Sequence, residues 1–366
     1  MYERILVPWD GSALSESALS IALPLARRQG ASIEIVHVHQ PPDLVGLAPM
    51  YDTQLDAELR DSMRTKQQAL AQRLSEESGV PVTAEFLDGD VLLALVDYAE
   101  RTGPDLVVMT THGRSGLSRL WLGSITDALV RKLHIPILVT RGESRDEVTF
   151  AARDGTSASG SATSVAEPTE DDPKLVSTKG SASAPMFPRV LVPLDGSMDA
   201  EAVFSSISAL IMPDEATVAL LRVITPSVAT DSPLEPGGFA VPLYTLDLVN
   251  AEAEAGAYLG DVAESLRAVG VRATTHVVIH SNAASAILNF ASESPFASGN
   301  LADLIALAPH ERTTSDRLLL GSVADKVLRG ATTPVLLHRS AHAVTNAERR
   351  AVGSDLRHDM SHHGRR

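Results

Sequence analysis

The sequence predicts an α/β fold of two tandem five-stranded parallel sheets, each Rossmann-like with helices on both faces. Three observations carry that prediction. A chain of 366 residues is too long for one ordinary core. It also repeats itself: RILVPWDGS at 4–12 returns as RVLVPLDGS at 189–197, and LWLGSITDALVRKLHIPILVTR at 120–141 returns without a gap as LLLGSVADKVLRGATTPVLLHR at 318–339. Two matches in the same order, at similar separation, mark a duplicated domain. Finally, each copy alternates strand-like and helix-like patterns, as parallel strands joined by crossover helices do.

In the first copy the apolar runs fall at 4–8, 32–38, 82–87, 105–109 and 136–140. They are short and rich in Val, Ile and Leu, as strands covered on both faces are. Helical patterns lie between them, near 13–29, 53–78, 90–101 and 124–133. The second copy repeats the order, with strands near 189–193, 216–223, 271–279, 303–307 and 334–338. Its helices are expected near 198–211, 246–269, 282–293 and 322–330. The copies thus occupy 1–141 and 187–340. The stretch between them, 142–186, is rich in Ser, Ala, Gly, Thr and acids and reads as a flexible linker. The polar tail, 341–366, reads as a disordered terminus.

Composition excludes several classes of function. The formal net charge of −15 argues against a nucleic-acid partner, because neutralising phosphates takes a basic face. With no cysteine there are no disulfides, thiolate catalysis or Cys-based zinc sites. The opening MYERILVPWD lacks the long apolar region of a signal peptide, and no run approaches 18 apolar residues. The expectation is a cytoplasmic protein with no membrane span.

Ligands of open parallel sheets bind beyond the carboxyl ends of the strands. Four pieces of the first copy lie there: Pro8-Trp9-Asp10-Gly11-Ser12, His37-Val38-His39, Asp88-Gly89-Asp90 and Met109-Thr110-Thr111-His112-Gly113. A carboxylate at the first can accept hydrogen bonds from a ligand amine or hydroxyl. Backbone amides of the glycine loop, and of the helix starting at Ser124, can bind phosphate oxygens. Each signal has a purely structural alternative. Ser124-Ile125-Thr126-Asp127 has the form of a capping box, repeated at Ser322 to Asp325, so Ser124 could simply cap its helix. Asp10-Gly11-Ser12 could be only a turn and cap. His37 and His39 are expected to face opposite ways, which would make a poor metal pair. Neither the P-loop pattern nor G-x-G-x-x-G occurs, and GRSG at 113–116 is not a nucleophile elbow.

VPWDGS, the IVHVH strand and VVMTTHGRSGLSRLWLGSITDALVRKLHIPILVTR together resemble the universal stress protein family, and the resemblance spans both copies. It implies an adenine-nucleotide-hydrolase-like fold and an adenine-nucleotide site. The family signature G-x2-G-x9-G-[S/T] falls on Thr110, Gly113 and Gly123-Ser124, with Thr110 in place of the leading glycine. By resemblance the adenosine lies against Pro8, Asp10, Val38, Met109 and Thr110. The phosphates lie against Gly113, Gly123, Ser124, Ile125 and Thr126, with a divalent cation, Mg²⁺, on the phosphates of ATP. Arg114 and Arg119 are secondary phosphate contacts by position and charge.

The second copy departs from that pattern. It places Ala308 and Glu311 where the first has Thr110 and Gly113, while Asp195, Gly321 and Ser322 remain. A carboxylate facing a triphosphate repels it. The second site is therefore expected to be degenerate, weak or absent, and the second domain structural or regulatory. The resemblance also implies pairing of 136–141 with 334–339, which makes an intramolecular pseudo-dimer, with a homodimer also open. A slow ATP hydrolase is one rival reading, although no nucleophile–base pair can be placed. A ligand-free protein-interaction module is the other.

Overall fold

The structure, a computed structural model, describes residues 1–41, 53–111, 123–142, 185–212, 214–226, 243–293, 296, 301–309 and 320–339. The first copy runs β1 (Arg4–Pro8), α1 (Ala13–Glu16), α2 (Leu19–Gln29), β2 (Ser32–His39), α3 (Thr53–Ser78), β3 (Val82–Asp88), α4 (Val91–Thr102), β4 (Leu106–Thr111), α5 (Ser124–Lys132) and β5 (Ile137–Arg141). The second runs β6 (Arg189–Pro193), α6 (Met198–Glu201), α7 (Val203–Leu210), β7 (Thr217–Ile224), α8 (Leu243–Ala268), β8 (Arg272–Ile279), α9 (Ala283–Ser292), β9 (Leu304–Leu307), α10 (Ser322–Gly330) and β10 (Val335–Leu337).

Two expected elements change. The helix read over 13–29 is two helices, α1 and α2, and 198–211 likewise divides into α6 and α7. At the first break the backbone tightens to i→i+3 bonds, Ser17 N to Leu14 O and Ser20 N to Ser17 O, and the serine hydroxyls share the same carbonyls, Ser17 Oγ on Leu14 O and Ser20 Oγ on Ser17 O, both at 2.6 Å.

The strands form one sheet in the order β3-β2-β1-β4-β5-β10-β9-β6-β7-β8. Within each copy all pairs are parallel. The copies meet where β5 and β10 pair antiparallel, with Val139 opposite Val335, Leu138 opposite Leu336 and Ile137 opposite Leu337. Each parallel half would otherwise end on an open edge there, and the pairing satisfies that row of amides and carbonyls.

Two apolar layers cover the sheet. One packs Ile5, Val7, Leu25, Ile33 and Leu74 with their counterparts Val190, Val192, Ile207 and Leu259. The other packs Leu6, Val107, Met109, Leu129 and Ile137 with Leu191, Ile287, Ile305 and Val327. Alternate residues of each strand enter alternate layers, as the pleat dictates. Among the described residues no helix is long and apolar enough to cross a membrane.

Candidate functional site

The strand order reverses between β1 and β4, which are neighbours although helices and two other strands separate them in sequence. A doubly wound sheet opens a crevice beyond its carboxyl edge at such a switch point. Pro8, Val38 and Met109 reach this edge from β1, β2 and β4, with Asp10 just past β1.

Asp10 begins a tight turn. Gly11 has φ of +85°, a conformation that suits glycine, and Ser12 caps α1 by accepting from Ser15 N. The Asp10 carboxylate closes the turn through one oxygen. Oδ1 accepts from Ser12 N at 2.9 Å, Ser12 Oγ at 2.6 Å and Ser15 Oγ at 2.6 Å. Burial is the largest single influence on this carboxyl and pushes its pKa up, but the hydrogen bonds from Ser12 and Ser15 together hold it below its ordinary value. It is therefore an anion at neutral pH, with Oδ2 unengaged by any described residue. The turn-and-cap role of Asp10-Gly11-Ser12 and an accepting role toward a ligand coexist.

Met109 and Val38 lie on the layer that also receives Ile125 of α5. Thr110 faces the other way. Its Oγ1 accepts from Ser17 Oγ at 3.1 Å and lies 3.1 Å from Thr140 Oγ1, so that hydroxyl is held by the scaffold. A molecule on the Met109 side would meet Thr110 through its backbone.

The capping box does not form. Gly123, with φ −55° and ψ 142°, is the cap of α5 and makes no side-chain cap bond, so Ser124 is the first helical residue. Asp127 then lies one position too far to close the box, and Arg131 engages its carboxylate through Nε and Nη2, both at 2.9 Å. The same holds in the second copy, where Gly321 caps α10 and Ser322 begins it. Among the described residues, neither helix's cap offers its first amides a side-chain acceptor, while Ser124 stays exposed and Thr126 is buried. Gly113, Arg114 and Arg119 lie outside the described residues, as does Glu311.

The two histidines are also corrected. Residues two apart on a strand share a face, and both rings lie against Phe86, His37 tilted at 5.0 Å and His39 stacked at 6.3 Å between centroids. They are nonetheless occupied separately: His37 Nδ1 lies 2.9 Å from Trp9 O, and His39 Nε2 lies 3.1 Å from Asp56 Oδ1. At the third strand end Asp90 caps α4 by accepting from Leu93 N, and Asp88 pairs with Arg60. Both have structural work.

The second copy keeps the Asp-Gly-Ser turn. Ser197 N and Oγ donate to Asp195 Oδ1 at 3.0 and 2.7 Å, and Gly196 has φ of +84°. A cavity of about 670 Å³ opens at its carboxyl edge. Leu221, Ile287, Leu307 and Leu320 line it, with Asp195, Gly321 and Ser322 at its polar end. Sequence reasoning missed one further residue there: Arg131, from the first copy, also borders this cavity. No local pattern marks a contact made across the two copies.

Fold and site together define a tandem, doubly wound α/β protein with a switch point in each half and a cavity at the second. A model of the universal stress protein family matches residues 1–141 and 186–339, and the chain belongs to that family. A universal stress protein of Methanocaldococcus jannaschii is 31% identical over 141 residues, spanning 38% of this chain and 83% of the relative. One of Bacillus subtilis is 28% identical over 149 residues, 38% of this chain and all of that protein. The crystal structure of a universal stress protein from Archaeoglobus fulgidus shares the fold across 92% of this chain and 98% of its own, with a TM-score of 0.56 at 17% identity.

Proposed function

We propose that this chain is a cytoplasmic stress-response protein that binds ATP, with Mg²⁺ on the phosphates, mainly in its first copy and without turning it over. The observation that carries this reading is the open N-terminus of α5. Its cap is a glycine, which offers its first amides no side-chain acceptor, and Ile125 packs in the same layer as Met109 and Val38 beside the switch point. A helix start of this kind favours phosphate. The adenosine would rest on Pro8, Val38 and Met109 and on the backbone of Thr110, with a ribose hydroxyl donating to Asp10. Gly123, Ser124, Ile125 and Thr126 would hold phosphate oxygens, joined by Gly113 and Arg114. The second copy would serve as a structural or regulatory partner, and the β5–β10 join would make the chain an intramolecular pseudo-dimer.

Titration calorimetry with Mg²⁺ and ATP tests this reading. Binding is expected in the wild type and loss of affinity in Gly113→Glu, which imitates the second copy. An unchanged affinity in that variant sinks the loop assignment, and an absence of heat in the wild type sinks the reading. Recovery of intact ATP after incubation separates binding from hydrolysis.

The second-copy cavity favours a second reading, in which that cleft also takes a ligand. Arg131 and Arg329 border it together with Asp195 and Asp325, and the rest of the described lining is largely apolar. A nucleoside would suit it better than a triphosphate. Titrating adenosine into the wild type and into Ser322→Trp, which fills the mouth of that cleft, tests this, and the same stoichiometry and affinity in both removes this second reading.

A further inference from the structure

We propose that the helix facing each cleft is positioned by arginines of the opposite copy, with Arg329 and Arg339 setting α5 and Arg131 and Arg141 setting α10. For α5 the inference rests on the reading that its first amides receive a nucleotide.

Each helix carries the same intrahelical pair. Arg131 binds Asp127 through Nε and Nη2, and Arg329 binds Asp325 through Nε at 3.0 Å and Nη2 at 3.1 Å. The pairs then cross between copies. Arg329 Nη2 lies 3.3 Å from Asp127 Oδ1, and Arg131 Nη2 lies 3.7 Å from Asp325 Oδ1. Two arginines and two aspartates neutralise one another, so the cluster is a clamp and not an anion site. All four side chains are about one quarter exposed, at 25–29%, which leaves their attraction less screened than that of surface pairs.

The far ends of the helices are held reciprocally. Arg339 donates to the carbonyl of Arg131 in the last turn of α5. Arg141 donates to the carbonyls of Leu328 and Arg329 in the last turn of α10. These carbonyls have no partner within their helices, and a cation there also meets the negative end of the helix dipole. Each of these nine-residue helices is thus gripped by groups 187 to 208 positions away in sequence. Asp127 follows Ser124 by one turn. A change in the grip of Arg329 therefore acts on the turn whose amides are open. Arg131 and Asp325 in turn border the second-copy cavity, so the clamp joins both clefts.

The test uses the full chain. Arg329→Gln is expected to speed hydrogen exchange at the α5 amides, in the other copy, while β2 and β3 exchange as in the wild type. It should also weaken Mg²⁺–ATP binding about fivefold, a typical coupling between sites, with Arg329→Lys recovering most of the loss. In an Asp127→Asn background the same substitution should have less than half that effect. Unchanged exchange in α5 overturns the proposal. So does a rise shared by β2 and β3, or faster α5 exchange with unchanged affinity. The exchange measurement needs no ligand: a wild type that binds no ATP defeats the nucleotide reading, while α5 exchange still decides the clamp.

Discussion

Asp10→Asn separates the charge of the first turn from its shape. Asparagine keeps an oxygen where Oδ1 accepts its three hydrogen bonds, at 2.9, 2.6 and 2.6 Å. A bond to a charged acceptor contributes about 1.5–3 kcal/mol and one to a neutral acceptor about 0.5–1.5 kcal/mol. Three bonds would give roughly 3 kcal/mol at full strength, but the turn is exposed, and screening reduces the expected loss to about 1 kcal/mol near neutral pH. That corresponds to a fall in melting temperature of roughly 1–2 °C for a chain of 366 residues. The pH dependence follows from the depressed pKa. Burial, the largest influence, raises it, yet the hydrogen bonds bring it below the ordinary 3.8, so the ionised carboxyl favours the folded state. That contribution is complete above the ordinary value and disappears as the pH falls through the lower, folded one. Denaturant unfolding followed by circular dichroism should show a constant gap between wild type and variant down to about pH 4, closing below it. An absent gap at neutral pH, or one that persists unchanged in acid, refutes this account of the turn.

Gly123→Ala should fold normally, since φ is −55° and the new methyl would sit 3.7 Å from Thr126 Oγ1. We expect a stability change within about 0.5 kcal/mol, read by thermal melting, together with weaker ATP binding by calorimetry. Gly142→Ala should be tolerated less well, because its methyl would overlap Leu14 Cδ1, the movable end of a half-buried side chain, and sit 3.3 Å from Ser17 Oγ and Thr110 Cγ2. The expected cost is about 1 kcal/mol, again from melting curves. Leu138→Ala, at a fully buried residue of the β5–β10 seam, should cost about 2–5 kcal/mol. His338 lies 2.6 Å from Ser206 Oγ, and burial lowers its pKa. Because the unfolded chain takes up that proton more readily, stability should fall as the pH drops below the ordinary value of 6.5. His338→Gln should flatten that slope in denaturant titrations.

The duplication, the strand–helix alternation and most element bounds were legible in the sequence because they are local. A buried parallel strand must be a short apolar run, and a helix must repeat its apolar face, wherever the chain later places them. Asp10-Gly11-Ser12 was legible for the same reason, since its bonds span only five residues. Local pattern failed where two local solutions competed. Ser124 and Asp127 spell a capping box, but Gly123 takes the cap and Arg131 takes the aspartate. His37 and His39 share a face instead of opposing each other, as the two-residue period of a strand dictates. Thr110 needed its partners, Ser17 and Thr140, before its hydroxyl could be assigned to the scaffold. Tertiary structure alone decided the register of β5 on β10, the crossed aspartates and arginines, and the presence of Arg131 beside the second-copy cavity. These are contacts between residues roughly two hundred positions apart. Their energies depend on where the fold brings two surfaces together, and no periodicity within either surface encodes that meeting.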